Sequence, residues 1–259
     1  MKDKPIGIFD SGVGGTSIFK EVHRLLPKEH IIYLADSKNA PYGEKNTSEI
    51  LRLSIKNSEL LLKMGCKIII VACNTATTNT IGELREKYNL PFIGIEPAIK
   101  PAALNSKTKC VGILATKGTL SSKLFAETMD IFAQDIEIVE VVGNGLVEAI
   151  ESGEKDAPET FKLLQKLLQP MLEKKIDQLV LGCSHYPYLI PQIEKILPSE
   201  VKIIDSGEAV ARQTKTVLQS MDLLTETQQK PPVFFSNGNP IVLKNLLQRD
   251  NFEVSYMDF

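Results

Sequence analysis

Two of the chain's four cysteines stand where a thiol could do chemistry. Each closes a short apolar run and opens a polar one: "KIIIVACNTATT" carries Cys73 and "DQLVLGCSHYP" carries Cys183. A cysteine inside such a run would be ordinary core, because cysteine is among the most buried residue types. One just past the run, followed by Asn74 and Thr75 or by Ser184 and His185, sits among hydrogen-bonding groups instead. A helix is expected to start after each cysteine. Its unpaired N–H groups and the positive end of its dipole would then favour a thiolate. From an unperturbed pKa near about 8.5, a modest shift lets one thiol act as base and the other as acid at neutral pH. A packed, inert thiol is the alternative for either cysteine alone; the matched pair favours chemistry. Cys66 and Cys110 fall at strand beginnings, the end away from the expected site, and read as structural.

Three further stretches carry polar candidates. "FDSGVGGTS" (residues 9–17) is a glycine-rich turn between a strand and a helix, with Asp10 and Ser11 at its start. Its N–H groups could hold a phosphate or a small carboxylate, and Asp10 could accept from an ammonium, but neither phosphate-loop spacing is matched. Helix capping by Thr16 or Ser17 is the plainer reading. "NAPYGEK" (residues 39–45) is a turn built on Pro41 and Gly43, and Tyr42 reads equally as a ligand contact or a loop aromatic. His185 could orient or charge Cys183, while His23 and His30 look like surface residues flanking a helix end.

The elements that must position these residues alternate along the chain. "IGIFD", "IIYLA", "KIIIVA", "FIGI", "CVGILA", "IEIVEVV", "QLVLG" and "KIID" are strand-like runs, each followed by a polar turn and a helical pattern. That alternation predicts an α/β fold of βαβ units with mainly parallel sheets, and continuous apolar runs suit strands buried on both faces. In such sheets ligands bind beyond the carboxyl ends of the strands. The site map is then Asp10–Ser11, 36–43, 73–75, Glu96, 116–119, 183–185 and 205–207. The two cysteine segments look like a weak internal duplication, which implies two similar α/β lobes facing one cleft. Residues 1–95 with 208–259 are expected to form the first lobe and 96–207 the second. "PPVFFSNGNPIVLKNLL" reads as one more strand and helix rejoining the first.

Composition bounds the function. At 259 residues, with 43% hydrophobic and 24% charged residues, the chain reads as ordinary and globular. A net charge of -2 gives no basic footprint for nucleic acid, and "EKK" (residues 173–175) reads as a solvated helix face. No stretch approaches the ~18 apolar residues of a membrane span, and the N-terminus lacks a signal peptide's apolar run. A cytoplasmic protein with reduced thiols is expected. No long extension precedes "IGIFDSG", so no added segment for an activator is expected.

"FDSGVGG", "PYG", "ACNTAT" and "GCSHYP" resemble, in order and spacing, the glutamate racemases of the cofactor-independent aspartate/glutamate racemase superfamily. The resemblance covers essentially the whole chain. It implies a cytoplasmic, pseudosymmetric, two-lobed enzyme with its active site in the cleft, supplying D-glutamate for peptidoglycan, without metal or cofactor. A homodimer is the expected assembly. It makes Cys73 and Cys183 the paired acid and base, and Asp10, Ser11, Tyr42, Gly43, Asn74, Thr75, Ser184 and His185 substrate contacts. Thr116 and Glu151 become accessory residues, with Glu151 resembling the family's accessory carboxylate. Where this chain has Ser184 the family usually has threonine, so a hydroxyl is kept and a methyl lost.

The chemistry of inversion agrees with that reading. A proton must leave one face of an α-carbon and another return to the opposite face, so two groups must flank the substrate. Fixed dipoles must hold the carbanion-like charge that spreads into the carboxylate. Rival readings fit less well. A cysteine hydrolase leaves one thiol without a task, a zinc site on Cys73, Cys183 and His185 lacks a fourth ligand, and a periplasmic-type binding module lacks the expected signal peptide.

Overall fold

The computed structural model describes residues 1–227, 230–247 and 252–259. In chain order its strands are β1 (Ile6–Asp10), β2 (Ile31–Ala35), β3 (Ile68–Val71), β4 (Phe92–Gly94), β5 (Cys110–Ala115), β6 (Glu137–Val142), β7 (Gln178–Gly182), β8 (Lys202–Ile204), β9 (Val233–Ser236) and β10 (Glu253–Tyr256). They form two sheets, ordered β10-β9-β2-β1-β3-β4 and β6-β5-β7-β8, with every described strand pair parallel. The runs β2-β1-β3-β4 and β6-β5-β7-β8 repeat one winding: second strand, first, third, fourth. Cys73 and Cys183 both follow the third strand of that winding, the structural form of the repeat seen in the sequence.

β1, β2, β3, β5 and β7 are buried along their whole length, as continuous apolar runs in covered parallel sheets should be. β6 departs from that expectation. It is an edge strand with Glu137 and Glu140 exposed and its other residues half-buried. The helix Thr47–Lys63 shows how local sequence sets the cover. Asn46 caps it by accepting the Glu49 N–H at 2.9 Å, a contact worth about 1 kcal/mol. Ile50, Leu53 and Leu61 form its buried stripe, and Gly65, at φ 82°, turns the chain out of it.

After β8 the helix Gly207–Ser220 packs on the helix Thr16–Leu25, and β9 pairs with β2. β10 then adds to the edge beyond β9; it is a four-residue strand the sequence pattern did not reveal, because half its residues face solvent. His23 also differs from expectation. It is half-buried, stacked 5.4 Å from Phe19 and edge-on to Phe252. His30 is half-buried too, 2.9 Å from the Pro231 carbonyl. Among the described residues, no helix is long and apolar enough to cross a membrane.

Candidate active site

A small, narrow cavity lies between the carboxyl ends of the two sheets. Ser11, Tyr42, Gly43, Cys73, Asn74 and Thr75 line it from the first sheet's loops. Thr116, Cys183, Ser184 and His185 line it from the second. Parallel strands point all their carboxyl ends one way, so the turns after β1, β2, β3, β5 and β7 meet in one place.

Cys73 is the N-cap of the helix Asn74–Lys87, and its Sγ accepts the Ala76 N–H at 3.4 Å. Its thiol can donate to the Ser11 hydroxyl, 3.6 Å away. Burial pushes the Cys73 pKa up to about 12, and the nearby Asp10 carboxylate pushes in the same direction. Next to it Asn74 is 2% exposed, and neither its Oδ1 nor its Nδ2 has a hydrogen-bond partner. A buried amide with both ends unmet beside a cavity is set to bind something placed there.

Cys183 does not stand at a comparable helix start. The chain after it forms a 3-10 turn, Tyr186–Leu189, then a single helical turn, Ile190–Ile193. Pro187 and Pro191 break any longer helix there. A histidine takes over the electrostatic task. His185 Nδ1 lies 3.8 Å from Cys183 Sγ, and Nε2 lies 2.6 Å from Glu151 Oε1. Burial alone would lower the His185 pKa, but Cys183 and Glu151 outweigh it and hold the imidazole well above its usual range. The Gly14 N–H also faces Nε2 at 3.3 Å, a contact that only a deprotonated nitrogen accepts. The shorter bond to Glu151 decides for the protonated form.

Polar seams close the cleft on two sides. On one, Glu151 Oε1 accepts the Val13 N–H at 2.6 Å and Oε2 accepts the Ser37 hydroxyl at 2.8 Å. Ser184 donates to Asp10 Oδ1 at 3.1 Å, and Ser17 donates to the Ser184 carbonyl at 2.9 Å. On the other, the hydroxyls of Thr75, Thr116 and Thr119 form a triangle with sides of 2.7, 3.0 and 3.2 Å. Asn79 donates across it to the Gly118 carbonyl at 2.9 Å.

Residues 6–214 match the Asp/Glu/hydantoin racemase family. The chain belongs to that family. Over 236 residues it is 45% identical to the glutamate racemase of Ectopseudomonas mendocina, covering 91% of this chain and 90% of that one. A solved glutamate racemase isoform from Bacillus anthracis matches with a TM-score of 0.87 at 30% identity, covering 100% of this chain and 98% of that one. The Escherichia coli glutamate racemase, solved with L-glutamate and the activator UDP-MurNAc-ala, matches with a TM-score of 0.86 at 33% identity. There the match covers 97% of this chain and 99% of that one.

For a member of this racemase family, the expected residues divide into three groups. Both cysteines, Ser11, Tyr42, Gly43, Asn74, Thr75, Thr116, Ser184 and His185 meet at the cavity. Asp10 and Glu151 stand one layer behind it: Asp10 Oδ2 accepts the Gly12 and Gly15 N–H groups, and Glu151 grips His185. Glu96 and Asp205 are exposed at the ends of β4 and β8, outside the site. Val147 lines the cavity and was not expected. It lies just past the Gly143–Gly145 turn after β6, a post-strand position that the site map left out.

Proposed function

We propose that the chain interconverts L- and D-glutamate, with Cys73 and Cys183 exchanging the roles of base and acid. The observation that carries this reading is two free thiols, one from each sheet's loops, lining one cavity. One thiolate takes the α-proton, and the opposite thiol returns a proton to the other face. The two sulfurs end with their protonation exchanged, ready for the reverse reaction. Asn74, whose buried amide is unpartnered, together with Thr75 and Ser184 is suited to hold the carboxylate and the charge that spreads into it. The N–H groups of Gly12 to Gly15 are already turned to Asp10, Glu151 and His185. In the substrate-free protein Cys73 is held as a thiol, while the protonated His185 stands ready to hold negative charge on Cys183. The two thiols supply both proton transfers, so the reading needs neither metal nor pyridoxal.

With this function we propose a first lobe of residues 1–95 and 208–259, a second lobe of 96–207, and supply of D-glutamate to peptidoglycan. Free thiols as acid and base suit a reducing compartment, which supports the cytoplasm. A homodimer is the assembly proposed. Leu104 and Ile131, on helices that pack together, are exposed apolar side chains that a second copy would cover. The deciding experiment treats the protein with chelator, checks that it is free of pyridoxal absorbance, and supplies L- or D-glutamate in heavy water. Optical rotation should decay to zero as deuterium enters the α-position. Activity lost on chelation and restored by zinc would overturn the reading.

A further inference from the structure

Tyr42 forms cavity wall, yet its hydroxyl bonds to groups outside the cavity lining. It donates to Asp36 Oδ2 at 2.5 Å and accepts from Asn57 Nδ2 at 3.1 Å. Asp36, just past β2, is fully buried. Its Oδ1 accepts from Asn39 at 2.8 Å, from Lys56 at 3.1 Å and from Asn237. Lys56 and Asn237 in turn donate to the Phe259 carbonyl at 3.0 and 3.3 Å, and Lys56 lies 5.1 Å over the Phe259 ring. Groups from the turn after β2, the helix Thr47–Lys63 and the end of β9 thus converge on one carboxylate, and the Phe259 carbonyl after β10 holds two of them. The proton transfer proposed above gives that carboxylate no task.

We propose that Asp36 and Asn57 are positioning residues for the cavity: they fix Tyr42 from behind, and Lys56, Asn237 and Phe259 hold Asp36 in place. The inference rests on the racemase reading for what Tyr42 serves, but not for where Tyr42 is held. The donor pattern predicts what Asp36→Asn does. Three N–H donors face Oδ1, so the single amide oxygen must turn to them and the amide NH₂ must face Tyr42. The phenol then loses its anionic acceptor and its anchor.

The test compares Asp36→Asn, Tyr42→Phe and the double variant. Each single change should lower kcat/KM for glutamate about 10- to 100-fold, as displacement of a positioning wall does. Most of the loss should appear in KM. The double variant should be no worse than the poorer single variant by more than about 2-fold, because the two changes cut one bond. Iodoacetamide should alkylate Cys73 roughly 10-fold faster in each variant, read by mass spectrometry, with Cys66 as the control for global unfolding. Additive losses, or wild-type KM and Cys73 labelling in Asp36→Asn, would overturn the proposal. Should Asp36→Asn expose Cys66 as well, the variant has unfolded and Tyr42→Phe decides: unchanged Cys73 labelling there overturns it. If the wild-type protein fails to racemise glutamate, the racemase reading falls, while the labelling arm still tests how Tyr42 is held.

Discussion

The Nε2 of His185 lies 2.6 Å from Oε1 of Glu151, and that bond joins the neighbour of Cys183 to the seam between the two sheets' loops. Glu151 belongs to the helix Leu146–Glu151, yet its other partners, Val13 and Ser37, lie in loops of the first sheet. Glu151 thus ties His185, beside Cys183, to the loops after β1 and β2.

Removing the Glu151 charge should therefore change how stability depends on pH. A histidine whose folded pKa is raised adds stability that is complete below the unfolded value, about 6.5, and is lost as pH rises through the folded value. In Glu151→Gln one cause of that rise is gone. The urea midpoint of the variant should fall furthest below wild type at pH below about 6.5, and the gap should narrow as the solution becomes alkaline. The raised Cys73 pKa is common to both proteins and cancels in the difference. A gap that widens with pH, or a His185 NMR titration unchanged by the substitution, would contradict the assignment.

Asp10→Asn separates charge from shape. Oδ2 must keep accepting the Gly12 and Gly15 N–H groups, so the amide oxygen takes that side and the NH₂ faces Ser184, whose hydroxyl can turn to accept. Every hydrogen bond survives, and only the negative charge beside Cys73 and His185 is lost. Turnover should fall roughly 10²-fold in a well-folded protein, as expected for an electrostatic group at a proton-transfer site. Alkylation of Cys73 should also begin at lower pH, since the repulsion that raises its pKa has gone. Wild-type turnover would reduce Asp10 to a cap for the turn.

How much of this was legible in the sequence follows from the range over which each signal acts. β1, β3, β5 and β7 are continuous apolar runs, and the parallel-sheet rule then put Cys73, Cys183 and their neighbours at one end of the molecule. The helix expected after Cys183 failed for a local reason that was readable: Pro187 and Pro191 in "SHYPYLIPQI". Val147 was missed because the turn after β6 was not followed, although "GNG" marks it. The site map took in Asp36 and Tyr42 within residues 36–43, but the bond between them and the rest of the hold on Tyr42 were not legible. Asp36, Asn57, Asn237 and Phe259 are scattered along the chain, and only the fold brings them together.

The roles proposed for the two thiols differ in handedness. L- and D-glutamate have equal free energy in water, so kcat/KM must be the same in both directions for wild type and for every variant. Replacing either cysteine by serine should therefore cripple racemisation both ways, and steady-state rates cannot show which sulfur serves which hand. Half-reactions can. A single variant keeps one thiol, which can still take the α-proton of one enantiomer and return a deuteron to the same face. The resemblance to the family implies that Cys73 would serve D-glutamate and Cys183 L-glutamate. Cys183→Ser should then slowly exchange the α-proton of D-glutamate in heavy water, and Cys73→Ser that of L-glutamate. Loss of a β-leaving group from a substituted analogue should follow the same pattern. Binding should persist in both, because Asn74, Thr75 and Ser184 remain. Exchange of the same hand by both variants, or near-full racemisation by either, would end the two-thiol mechanism.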